Sequence, residues 1–180
     1  MKKIFKISAV FFVGLSIIVS SCQKEVDGCT DSAAMNYLSN ATSNDGSCIF
    51  AYHIALGVWN INPDCEEIDI LGQTISLNDQ LPESIDVQQG TEENTLFIDV
   101  AGAQVSGTID NSGNITVAEQ TASIDIGLGI PIPVQVFGTG KIESENSGYM
   151  DLTYSGEIDI IPNMPIPLPF STTCHIILSK

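Results

Sequence analysis

The side chains in this 180-residue chain that could do chemistry are few and scattered: five cysteines, two histidines and some paired acids in polar stretches. Nucleophilic catalysis needs a base held beside a Ser or Cys. His53 and His175 are the candidates for that base, and both lie in alternating, strand-like surroundings, where a histidine ordinarily serves structure. They flank the first and last strand-like runs, so a metal shared between them is the rival reading, although no third ligand is evident. Glu66-Glu67 and Glu92-Glu93 sit among loop-forming residues and read as solvated charge. Gly127-Leu128-Gly129 and Gly138-Thr139-Gly140 lack the spacing of a phosphate-binding loop. The expectation is a protein without enzymatic activity.

The start of the chain reads as an export signal over residues 1–21. Lys2, Lys3 and Lys6 form a positive head, and Ile7 to Val19 an apolar stretch too short for a comfortable membrane span. Val19-Ser20-Ser21-Cys22 resembles the lipobox of bacterial lipoproteins, with Val where Leu is commonest. The resemblance implies lipidation of Cys22, which becomes the mature N-terminus. Acyl chains contribute about 0.8 kcal/mol per buried methylene, so several of them hold a chain on a membrane. Gln23-Lys24-Glu25-Val26-Asp27 loosely resembles the acidic tag that sends some lipoproteins to the cell exterior. The expected address is the outer membrane, exposed at the cell surface, with residues 22–27 as the lipid-anchored linker.

Charge narrows the partners. The chain has no arginine, and past the signal three lysines face twenty-two acidic residues, a formal charge of −19. Nucleic acid is excluded as a partner, because phosphate binding needs Lys and Arg to displace counterions. Such a surface suits a soluble exterior domain, or one that gathers cations. The remaining length, about 158 residues, fits a single domain able to bury around two-thirds of its surface.

With Cys22 assigned to lipid, Cys29, Cys48, Cys65 and Cys174 remain, an even number for an oxidising compartment. Three pairings are open. The preferred one is Cys29–Cys48 as a local staple with Cys65–Cys174 bridging the first and last strand regions. Loop-closure entropy assigns about 3 kcal/mol to the first and near 5 to the second. Zinc is the rival, but no CxxC pair is present.

Residues 28–50 form a separate unit. Gly28-Cys29-Thr30-Asp31, Ala34, Asn36-Tyr37, Asn40-Ala41 and Asp45-Gly46-Ser47-Cys48 resemble a short cysteine module of secreted and surface proteins of Gram-negative bacteria. Ser32 and Asn44 depart from its pattern. The stretch is too polar for its own core, so a disulfide must supply the order. Asp31, Asn36, Asn44 and Asp45 offer hard oxygen ligands of the kind calcium accepts. The same residues make turns, and their spacing is not that of an EF-hand loop.

From Ala51 to residue 180 short runs of Val, Ile, Thr and Leu alternate with polar residues, separated by Gly, Asn, Asp and Ser clusters. Asp110–Asn114 and Ser144–Gly148 read as hairpin tips. Leu96 and Ile98 share one face, as do Met150, Leu152 and Tyr154. The fold class is all-β, an antiparallel meander. Ile124-Asp125-Ile126 precedes Ile130-Pro131-Ile132-Pro133-Val134, and thirty-four residues later Ile158-Asp159-Ile160 precedes Met164-Pro165-Ile166-Pro167-Leu168-Pro169-Phe170. A weaker echo, Ile68-Asp69-Ile70, precedes Thr74, and the three read as duplicated hairpins. Prolines at every second place remove donors from one side of a strand only, which predicts edge strands with an apolar opposite parity. The rival is a stiff rim at a cavity mouth.

Gly57-Val58-Trp59 at the head of the first strand, ahead of the meander, resembles the lipocalin-type calycin barrels, though the arginine that often stacks on that tryptophan is missing. The resemblance implies a closed barrel over 51–180 with an apolar ligand inside, and the residues expected to meet it are Trp59, Ile132, Val134, Ile166, Leu168 and Phe170. Two functions are open: a surface lipoprotein holding a small apolar ligand, or a structural or interaction module showing loops and an acidic face to a protein partner. The volume of the barrel interior separates them.

Overall fold

The computed structural model describes residues 24–100, 103–125, 129–158 and 167–180. The signal, the lipidation candidate Cys22 and the ligand candidate Ile166 lie outside the described residues.

Two short strands, β1 (Asp27–Gly28) and β2 (Ser43–Asn44), pair in parallel within the cysteine module. A five-residue helix follows, α1 (Ala51–Ala55). This corrects the expectation of a strand there, and it moves His53 from a strand onto a helix. The strands then run β3 (Gly57–Cys65), β4 (Ile68–Ile70), β5 (Gln73–Ile75), β6 (Ser84–Gln89), β7 (Thr95–Val100), β8 (Ala103–Ile109), β9 (Asn114–Asp125), β10 (Pro131–Ser144), β11 (Ser147–Ile158) and β12 (Leu168–Ser179). Eight of them, all but β1, β2, β4 and β5, close an antiparallel barrel in which each strand pairs with the next and β12 returns to β3. The all-β barrel expected from the sequence is the fold observed.

Alternation explains the core. In β12 every second residue from Phe170 to Leu178 is buried, and in β11 Met150, Leu152 and Tyr154 point inward. Leu96 and Ile98 are buried on β7. The outward parity carries the acids, and no charged side chain is buried among the described residues.

The two ends of the barrel differ. At one end lie α1, the β8–β9 tip and the cysteine module. The tip is built by Asp110, whose Oδ1 accepts the Ser112 and Asn114 N–H groups at 2.8 and 2.9 Å and whose Oδ2 accepts the Asn114 amide at 2.8 Å. The Asn114 side chain and the turn N–H groups hold this carboxyl below the usual carboxylate range. Gly113 completes the turn at φ +84, and a Cβ there would strike the Ile142 carbonyl oxygen. At the other end β9 runs into β10 and β11 into β12, and β4–β5 forms a third hairpin after β3. Ile68-Asp69-Ile70 forms β4, and the described parts of the other two echoes, Ile124-Asp125 and Ile158, end β9 and β11 at this far end. Ile126, Asp159 and Ile160 lie outside the described residues.

The prolines need a correction. A closed barrel has no edge strands, and β10 and β12 each pair on both sides. Yet Pro131 and Pro133 face only β9, because pairing with β11 starts at Val134. Pro169 faces only β11, because pairing with β3 starts at Cys174. Pro63 faces only β12, because β6 pairs β3 from Gly57 to Asn60. Each missing N–H falls where a strand overhangs one neighbour, so the rule that confines proline to edges operates locally.

Candidate functional site

Three places are candidates for function: the barrel interior, the outer-face histidine and the cysteine module.

All eight barrel strands contribute to one axial void, among them Ile61, Ile98, Val117, Val136, Met150 and Tyr154. Its volume is about 30 Å³, room for a water molecule or two. A ligand pocket needs about 300 Å³ or more. Side chains fill this barrel. Burial pushes the Tyr154 phenol up to about 12, because an apolar interior disfavours the phenolate.

Among the described residues, none of those expected to meet a ligand (Trp59, Ile132, Val134, Leu168 and Phe170) lines that void. Ile132, Val134 and Phe170 are buried toward the far end, and Leu168 is half-buried there. Trp59 is fully buried at the opposite end, where its indole N–H donates to the Ala55 carbonyl at 2.8 Å. This makes it a plug anchored to α1 and not a pocket wall. The cation absent from the sequence pattern is supplied by the last residue. Lys180 Nζ stands 4.4 Å above the Trp59 ring and donates to the Ile54 and Leu56 carbonyls at 2.7 and 2.8 Å. Desolvation holds this amine below the ordinary lysine value. Gly57 turns the chain between helix and strand at φ +99, which explains the glycine of Gly57-Val58-Trp59. Sequence reading missed Lys180 because it looked for an arginine. A lone lysine closing an alternating strand was the available signal.

The histidines do not meet in one site. His175 lies on the outer face of β12, 2.6 Å from Asp151 through Nδ1, beside the Tyr149 ring and opposite Asp64 in the register. His53 packs against the rings of Phe50 and Tyr52 on α1. No serine is among the hydrogen-bond partners of either histidine, and no group of three His, Cys, Asp or Glu converges as a metal site, among the described residues.

In the module, Cys29 bonds Cys48, and in the barrel Cys65 bonds Cys174, as the preferred pairing has it. The second disulfide joins β3 to β12, the seam at which the barrel closes. The four candidate calcium ligands are engaged with backbone. Asp31 accepts from the Ala33 N–H at 2.9 Å, Asn44 from Gly46 at 3.0 Å and Asp45 from Ser47 at 2.9 Å. The Ser47 side chain and N–H hold the Asp45 carboxyl below its usual range. Asn36 spans the loop, donating to the Ser47 carbonyl at 2.6 Å and accepting from the Ile49 N–H at 2.8 Å. These oxygens make the turns that a loop without a core requires.

Comparison with protein-family models, with curated proteins and with solved structures finds no match for this chain.

Proposed function

We propose that this protein is a surface-displayed interaction module: a filled barrel, tethered to the outer membrane through acylated Cys22, that offers its loops and acidic face to another protein and carries no ligand. The observation that carries this reading is the 30 Å³ void, an order of magnitude below what a small-molecule pocket needs. Topology supports one direction of display. The described chain enters through the module, whose Met35 packs near the β8–β9 tip, so the tether and the plugged end share one side. The three far-end hairpins then face away from the membrane, and exposed Leu71 and Ile130 lie on them.

Native mass spectrometry of the detergent-extracted protein tests this. The expected mass is that of the acylated polypeptide alone, and a small apolar molecule bound one to one overturns it. Cys22→Ser is expected to move the protein from the membrane to the soluble fraction.

A second reading, a small apolar ligand in the axis of the barrel, draws support from the apolar lining of the void and from unbranched Met150 within it. It requires the interior to expand about tenfold, and the same mass measurement decides between the two.

A further inference from the structure

We infer that the cleft between α1 and the β6–β7 turn binds a small organic cation through an alkylammonium group. The cleft encloses about 650 Å³, well within the range of small-molecule sites. It lies outside the barrel, and the display reading makes no use of it.

Phe50, Tyr52 and His53 line it from α1 and the residue before. The His53 ring is 5.8 Å from Phe50, edge to face, and 5.9 Å from Tyr52, so three rings stand together. The β6–β7 turn supplies the carboxylates of Glu92 and Glu93. That turn is fixed. Gly90 N–H donates to the Thr95 carbonyl at 2.7 Å, Asn94 adopts φ +62, and the Asn94 carbonyl accepts the Ile109 N–H at 2.9 Å. The backbone that carries Glu92 and Glu93 is therefore set before any ligand arrives, and both side chains are exposed at the cleft.

A third observation is independent of charge. The Tyr52 hydroxyl is buried with no hydrogen-bond partner among the described residues. A buried hydroxyl left unpaired is costly, and a small ring movement that turned it to a ligand would break no protein hydrogen bond.

The chemistry selects the ligand. Aromatic faces and carboxylates both attract positive charge, and no lysine lines the cleft to neutralise them. A metal ion is a poor fit, since His53, Glu92 and Glu93 line the cleft without converging, and no group of three His, Cys, Asp or Glu is placed to hold a metal among the described residues. A weakly hydrated ammonium surrounded by methyl or methylene groups suits rings and acids together.

The test uses the full mature domain and follows amide chemical shifts during titration with choline, spermidine and the uncharged choline isostere 3,3-dimethylbutan-1-ol. Saturable shifts at residues 50–53 and 90–94 are expected for an ammonium compound, with the isostere at least about tenfold weaker. The Glu92→Gln/Glu93→Gln variant is expected to weaken the ammonium by about tenfold, and Phe50→Leu by a few-fold. No saturation by either cation, or equal binding of the isostere, overturns the proposal. So does binding that the glutamine variant leaves unchanged.

Discussion

At the scale of single residues, the closed end turns on one amine. Lys180 makes two hydrogen bonds to carbonyls at the C-terminal end of α1, those of Ile54 and Leu56, and covers the Trp59 ring. Those carbonyls have no partner within so short a helix, so removing the amine uncovers the plug and strips its support together. Lys180→Met is expected to cost about 1–3 kcal/mol in urea unfolding, with Lys180→Arg retaining most of the stability. Tyr154 gives a pH signature. Its phenol ionises near 10 in the unfolded chain and at about 12 in the barrel. The neutral form thus stabilises the fold fully below pH 10, and the contribution drains away as pH rises from 10 toward 12. It amounts to about 3 kcal/mol. Denaturant midpoints at pH 8 and pH 12 are expected to fall less in Tyr154→Phe than in the parent protein.

At the scale of elements, the β8–β9 pair holds by unusual means. Its register runs only through Thr108–Thr116 and Ile109–Ile115, while β9 slips against β10 between Val136 and Gly138. Where the ladder lapses, the Gln120 amide takes over. Its oxygen accepts the Ser106 N–H at 2.8 Å and its nitrogen donates to the Ser106 carbonyl at 2.7 Å, as a strand residue would. Gln120→Leu leaves both backbone groups without partners and is expected to cost about 2 kcal/mol or more. Hydrogen exchange should quicken at Ser106 and stay slow at Ile109. The alternation of the strands was legible in the sequence, since period two maps directly onto inside and outside. The side-chain rung was not, because it depends on a bulge whose place is set by the two neighbouring strands. The short helix was missed for a similar reason: Ala51–Ala55 is too brief to show a period, and packing against the barrel end decides its conformation.

At the scale of the molecule, closure is covalent as well as hydrogen-bonded. Cys65–Cys174 spans 109 residues across the seam between β3 and β12, whereas Cys29–Cys48 spans 19 within a loop. Replacing Cys65 and Cys174 together by Ser is expected to lower stability by about 5 kcal/mol, against about 3 for the local pair, measured by urea unfolding under oxidising conditions. The sequence by itself determined the strand class, the hairpin tips, the disulfide pairing preferred and the polar, staple-dependent nature of residues 28–50, because these rest on local periodicity, turn chemistry and spacing. Only the tertiary structure decided that the interior is filled, that the overhanging prolines belong to a closed barrel and that Lys180 caps Trp59. Cavity volume is the small difference between a barrel's capacity and its side chains' bulk, and contacts between residues more than a hundred positions apart leave no periodic trace in the chain.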